Sequence, residues 1–263
     1  MSETPAVAQL LAAAQDHRRA GRVDEAAFLY RQVLDVSAEH PAARDGLAEL
    51  AGATPAAGPA PAPSRTHPKR LARRWARQGV EALAQRPRVW KYRVLSTCPN
   101  VRGGAPIVNQ PVLFVGPGTV ELGEGVQFGW RRSPAFYNGY THIEAAYAQA
   151  LISIGDRTEV NNNTFMKSEG AGIAIDRDGL FGPFVEIFDS NFHDLHPDRR
   201  HGGTAKMAPV VIEPTVFLGM GVRVLKGVTI GENTVVGAGA VVTSSLPAGV
   251  IAAGNPARPI RDL

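Results

Sequence analysis

From Val211 the chain reads VIEPTVFLGMGVRVLKGVTIGENTVVGAGAVVT, and every sixth residue from Ile212 is a branched aliphatic: Ile212, Leu218, Val224, Ile230, Val236 and Val242. Four positions after these come the small or β-branched Val216, Val222, Val228, Thr234 and Ala240. Glycine follows the aliphatic at Gly219, Gly231 and Gly237. A period of six fits neither a lone helix, at about 3.6, nor a long strand, at about 2. It fits a short strand and a turn repeated around a coil, with the aliphatic turned inward at each pass.

The same beat recurs upstream. Ile154, Val160 and Met166 keep it, with Thr158 and Thr164 at the small position. Ile175, Phe181 and Ile187 form another run, whose next sixth position is His193. Leu122 and Phe128, each followed by glycine, mark an earlier coil. The phase breaks at 129–151, 167–174 and 194–211, which predicts loops leaving the coil there. Loops on a rigid scaffold are where binding and chemistry usually sit.

Residues 1–51 read as a small helical domain. Leu10, Leu11 and Ala14 recur at helical spacing, Gly21 breaks the pattern, and Ala27, Tyr30, Val33 and Leu34 line a second helix. Pro41 opens a third helical run. The phrase AGRVDEAAFLYRQVL, followed by HPAARDGLAEL, resembles one tetratricopeptide unit and the start of the next. About three repeats are usually needed for a self-sufficient solenoid. The expected role is therefore assembly, as a cap or dimerisation hairpin, with a bound protein partner as the alternative.

Residues 52–68 are Ala/Pro-rich and read as a semi-rigid linker. The connecting segment 69–104 opens with a basic helix, carrying nine Lys/Arg against one Glu between Lys69 and Arg93. With a net charge of only +4 for the whole chain, this is a local element and not a nucleic-acid-binding composition. Leu71, Trp75 and Leu83 fall on its apolar side. That side is short and broken by Gly79, so packing on the following domain is expected in preference to an anionic membrane surface. The N-terminal MSETPAVAQLL shows no basic stretch followed by an apolar core, no apolar run is long enough to span a membrane, and Cys98 is the single cysteine. A reducing, cytoplasmic compartment is the expectation.

The hexads, ending in VIAAGNPARPIR, resemble the hexapeptide-repeat acyltransferases, and among these the galactoside, maltose and polysaccharide O-acetyltransferases. The resemblance covers about residues 105–263. It implies a mainly β fold, a left-handed parallel β-helix of three short strands per coil, behind the small α-helical domain. It also implies a homotrimer that holds acetyl-CoA, as co-substrate, in the groove between subunits with the acceptor at its base. The implied reaction is acetyl transfer to a carbohydrate hydroxyl, of a surface polysaccharide or glycolipid.

In that family the catalytic histidine opens the loop after a phrase of the type VEIFDSNFH, which corresponds to His193. A hydroxyl cannot attack a thioester until a base takes its proton, and an imidazole suits that role near neutral pH. Asp189, Asp194 or a backbone carbonyl could orient the ring. For the acceptor the resemblance points to Asn161 in the stretch VNNNT; the alternative is that these asparagines simply form a turn. His196 and Asp189 are further acceptor candidates, and His201 is a bystander. For acetyl-CoA it points to Phe217, Gly219, Ala238, Thr243, Ser244, Arg258 and Arg261, with Lys226 a lesser candidate. The aromatic-rich FYNGYTHIEAAYAQA is expected to help choose the acceptor.

Three other readings stay open. One is N-acetylation of a nucleotide-linked amino sugar, which uses the same base and donor. Another is a γ-carbonic-anhydrase-like zinc site built on His193, His196 and His201; their crowding on one loop fits it poorly, and no metal is expected. The last is a scaffold without catalysis.

Overall fold

The computed structural model describes residues 5–37, 39–52 and 68–263. The expected linker therefore lies outside the described residues apart from its two ends. The chain divides into two compact units, Met1–Pro68 and Lys69–Leu263.

In the first unit, α1 (Pro5–Arg19), α2 (Val23–Val36) and α3 (Pro41–Gly52) pack around Val7, Ala14, Ala26, Tyr30, Val33 and Ala43. The turn between α1 and α2 runs through Gly21, whose φ of +70° explains the break in the helical pattern.

The second unit opens with α4 (Pro68–Leu95) and continues as a parallel β-helix. Six coils each lay one short strand on each of three sheets. The first sheet stacks β1 (Asn100–Gly103), β4 (Thr119–Leu122), β7 (Leu151–Ile154), β10 (Ile173–Ile175), β13 (Val210–Ile212) and β16 (Thr229–Ile230). The second stacks β2 (Ile107–Val108), β5 (Gln127–Phe128), β8 (Glu159–Val160), β11 (Leu180–Phe181), β14 (Phe217–Leu218) and β17 (Val235–Val236), then β19 (Val250–Gly254) and β20 (Ala257–Asp262). The third stacks β3 (Val112–Val115), β6 (Thr141–Ala145), β9 (Phe165–Ser168), β12 (Glu186–Phe188), β15 (Arg223–Val224) and β18 (Val241–Val242). The ladder begins at Asn100, upstream of residue 105, because β1 already pairs in parallel with β4.

The six-residue beat is the inward face of these ladders. In register, Leu122, Ile154, Ile175, Ile212 and Ile230 stack on the first sheet. Phe128, Val160, Phe181, Leu218, Val236 and Ala252 stack on the second. Ile143, Met166, Ile187, Val224 and Val242 stack on the third. Nearly all are fully buried, and they form one continuous core. This is the left-handed β-helix that the resemblance implies. The glycines that follow the aliphatic have a steric reason. A Cβ on Gly219 would lie 2.6 Å from the Ala238 nitrogen of the next coil, and one on Gly231 would lie 2.3 Å from the Ala248 nitrogen.

Two expectations need correction. The break placed at 129–151 contains β6, which pairs with β3 and β9, so the loop proper is only 129–140 and the next corner 146–150. The period was lost there because the inserted loop shifts the phase, not because the coil stops. Leu83 does not pack inward either; it is 78% exposed. The side chains of Leu71 and Trp75 lie outside the described residues. What α4 turns to the β-helix is polar. Gln85 Nε2 donates to the Phe136 carbonyl at 2.8 Å, Arg88 donates to the Gly139 carbonyl at 2.6 Å, and Glu81 pairs with Arg131 at 2.5 Å. Among the described residues no helix is long and apolar enough to cross a membrane.

Candidate functional site

Each coil has three corners, and the site candidates fall on two of them. The corner after the third sheet carries the loop 189–209 with His193, and two coils later Thr243 and Ser244. The corner between the second and third sheets carries Asn161, Gly219 and Ala238. Phe217, Arg258 and Arg261 lie on the second sheet beside that corner.

His193 falls on the inward beat but is not inward. The strand ends at Phe188, the chain leaves the coil, and His193 is exposed. The base of the loop is closed by an antiparallel bridge between Ser190 and Met207 and by bonds from Asn191 N to the Lys206 carbonyl (3.1 Å) and Ala208 N to the Asp189 carbonyl (2.9 Å). His193 Nδ1 lies 3.1 Å from the Arg200 carbonyl oxygen. A carbonyl only accepts, so the contact assigns the proton to Nδ1 and leaves the Nε2 lone pair free. Of the three proposed orienting groups, the backbone carbonyl is the one in contact.

Asp189 is a correction as an acceptor candidate. It is fully buried, and its carboxylate accepts from Ser168 Oγ (2.7 Å), Glu169 N (2.8 Å), Gly170 N (3.3 Å) and Gly172 N (2.8 Å). Its oxygens are consumed in holding the 168–172 corner. Asp194 instead braces the loop, accepting from His196 N at 2.8 Å and from Arg199 Nε at 2.9 Å. These bonds, the backbone one foremost and Arg199 next, hold its carboxyl below the usual range against a smaller opposing effect of burial. His196 is exposed, and its Nδ1 caps the short 3-10 helix Pro197–Arg199 by accepting from Asp198 N at 3.3 Å. Among the described residues no three His, Cys, Asp or Glu side chains are gathered as a metal would require.

The asparagine triplet serves the loop 129–140. Asn162, fully buried, accepts from Trp130 N (2.9 Å) and donates to the carbonyls of Trp130 (3.0 Å) and Pro134 (2.9 Å). Asn163 takes the left-handed corner, with φ of +57°, and its N–H donates to Gln110 Oε1 at 2.9 Å. Asn161 donates to Ser133 Oγ at 3.0 Å and accepts from Asn162 N at 2.8 Å. It is half-buried, and its side chain bonds both the loop 129–140 and its own turn.

Among the cofactor candidates, Phe217 is 40% exposed on the outer face of the second sheet. Ala238, Thr243, Ser244, Arg258 and Arg261 are exposed, and Lys226 is half-buried. Arg258 and Arg261 donate only to the neighbouring Ala257 and Asp262 carbonyls, which leaves most of each guanidinium unengaged among the described residues.

One arrangement escaped the sequence reading. The outer face of the third sheet, between the two corners, carries rings in edge-to-face succession: His142 to Phe165 at 4.9 Å, Phe165 to Phe188 at 5.4 Å, and Phe188 to Phe192 at 5.3 Å. Lys167 pairs with Glu144 at 3.1 Å and lies 5.3 Å from the centre of the Phe192 ring. The available signal was that His142 and Phe165 each precede, and Phe188 follows, an inward aliphatic.

Residues 209–244 match the family model described as bacterial transferase hexapeptide (six repeats). That stretch is similar to the transferase hexapeptide repeat and lies within the β-helix. The chain is 48% identical over 77 residues to a galactoside O-acetyltransferase of Lactococcus lactis, which is 29% of this chain and 37% of that one. It is 42% identical over 71 residues to the galactoside O-acetyltransferase of Escherichia coli, 27% of this chain and 35% of that one. The chain spans about half the length, or less, of the curated relatives it matches. A crystal structure of a maltose O-acetyltransferase from Clostridium difficile aligns with 65% of this chain and 72% of its own, at 23% identity and a TM-score of 0.39.

Proposed function

We propose that the chain is an acetyl-CoA-dependent O-acetyltransferase of a carbohydrate hydroxyl, with His193 as general base. The observation that carries this reading is the His193–Arg200 contact, which leaves an exposed Nε2 lone pair at the edge of a hexapeptide-repeat coil. Nε2 takes the hydroxyl proton as the acceptor oxygen bonds to the thioester carbonyl carbon. The carbonyl becomes an oxyanion, the kind of charge that backbone N–H groups stabilise. On collapse the carbon–sulfur bond breaks, and the imidazolium returns its proton to the departing thiolate. Throughout, the Arg200 carbonyl accepts from Nδ1–H and holds the ring in its orientation.

The two candidate corners are separated on one chain by the width of the third sheet. In a homotrimer the His193 corner of one copy would meet the corner bearing Gly219 and Ala238 of the next, and acetyl-CoA would lie between them. Phe217 would then pack along the pantetheine arm, and Arg258 and Arg261 would meet the nucleotide phosphates. The relatives named as galactoside O-acetyltransferases support a sugar acceptor.

The test is CoA-thiol release with a panel of sugars, amino sugars and nucleotide sugars, wild type beside His193→Ala. Release that depends on a sugar hydroxyl and is lost in the variant is the expected result. Equal release by both proteins would sink the mechanism, and release with amino sugars alone would reassign the acceptor to nitrogen.

A further inference from the structure

Helix α4 is amphipathic in the reverse of the usual sense. Its contacts with the β-helix run through Glu81, Gln85 and Arg88, and through Tyr92, whose ring lies 4.4 Å from that of Tyr140. On the opposite side, Val80, Leu83, Trp90 and Val94 are 67%, 78%, 67% and 63% exposed. Together with Pro87 they are spaced three and four residues apart, so they form one straight stripe along the helix. A soluble domain seldom leaves such a stripe open without a use for it.

The charges beside the stripe choose between occupants. Arg86, Lys91 and Arg93 are exposed along it, and the one acidic residue of the helix, Glu81, is turned away into its pair with Arg131. Two copies of the helix laid stripe to stripe would set like charges against each other at the flanks. A nucleic acid would satisfy the charges and leave the aliphatic groups in water. An anionic bilayer satisfies both, with Trp at the headgroup level, aliphatics below it and arginines on phosphates. Arg86, Trp90 and Arg93 also border a cleft of about 470 Å³ at the edge of the stripe, whose inner wall carries the Glu81–Arg131 pair.

We infer that the exposed face of α4 is a docking surface for an anionic lipid membrane, on which the helix lies flat without crossing. None of the residues assigned to acetyl transfer lies on α4, so this inference and the proposed function stand or fall separately.

The experiment is co-sedimentation of the full chain with vesicles of phosphatidylcholine alone and of phosphatidylcholine with an equal part of phosphatidylglycerol. Wild type is expected to sediment with the anionic vesicles only, and less so in high salt. Leu83→Ser with Trp90→Ser should weaken this by about tenfold or more, as should Arg86→Gln with Arg93→Gln, at unchanged melting temperature and unchanged mass in solution. Failure of wild type to bind anionic vesicles overturns the inference. So does a change of oligomeric mass in the serine variant, which would make the stripe a contact between copies. Binding of single-stranded RNA with the same dependence on Leu83 would transfer the surface to nucleic acid.

Discussion

The His193 ring is held by the backbone of Arg200, with Nδ1 3.1 Å from the carbonyl oxygen. A backbone acceptor cannot be removed by side-chain substitution, so this orientation survives changes at Arg200 itself. His193→Ala is expected to lower CoA-thiol release about 10²–10⁴-fold, the usual worth of a general base. The melting temperature should stay put, because the ring is exposed. Arg200→Ala should retain most of the activity, measured in the same assay.

Asp194 links that loop to pH. Its folded-state pKa is depressed, so its contribution is present above the ordinary aspartate value of about 3.9 and is lost as pH falls through the lower folded value. Acid should loosen residues 194–203 before the β-helix core melts. Hydrogen exchange across this segment between about pH 6 and pH 3 checks it. Asp194→Asn should bring the loosening to neutral pH, with reduced thiol release and an intact core.

Asn162→Ala removes the side chain that accepts from Trp130 N and donates to the Trp130 and Pro134 carbonyls. Leaving such buried groups unpaired costs about 1–3 kcal/mol. The expected result is faster exchange and proteolysis confined to 129–140, with a modest drop in denaturant midpoint. Exchange unchanged in that loop would show that its anchoring lies elsewhere.

Leu218 and Phe217 are neighbours with opposite fates. Leu218 is fully buried in the ladder, so Leu218→Ala should cost about 2–5 kcal/mol in urea unfolding. Phe217→Ala should cost far less because the ring is largely outside the core. Its expected effect is a raised KM for acetyl-CoA at nearly constant kcat. A KM unchanged by the substitution removes Phe217 from the cofactor site.

The inward positions were legible because a coil repeats its side-chain direction, and Ile212 through Val242 repeat without exception. The strand Thr141–Ala145 was not, because a twelve-residue loop upstream shifts the phase before Ile143 and the corner 146–150 shifts it again before Ile154. The seat of α4 was hidden for another reason. Its apolar residues suggested the packing side, but the β-helix offers it open carbonyls at Phe136 and Gly139, and these select Gln85 and Arg88. Asp189 misled because a carboxylate near a histidine looks the same in sequence whether it faces a ligand or four of its own chain's donors. His193 was singled out by the resemblance and by where the beat ends, and the Arg200 carbonyl beside it, being backbone, leaves no trace in residue type.

The ends of the coil carry a last consequence. A stack of parallel strands presents a template at each extremity, able in principle to recruit further strands without limit. Strand β20 runs antiparallel along β19 after the turn at Asn255–Pro256, so the last rung of the second sheet no longer presents a parallel edge. At the other end, Ser96, Thr97 and Cys98 spend their hydrogen bonds on the backbone of Phe114 at the outer edge of the third sheet. The same regularity that makes the fold easy to extend is thus bounded by two irregular segments, and deleting either should turn a discrete particle into one prone to fibrous growth.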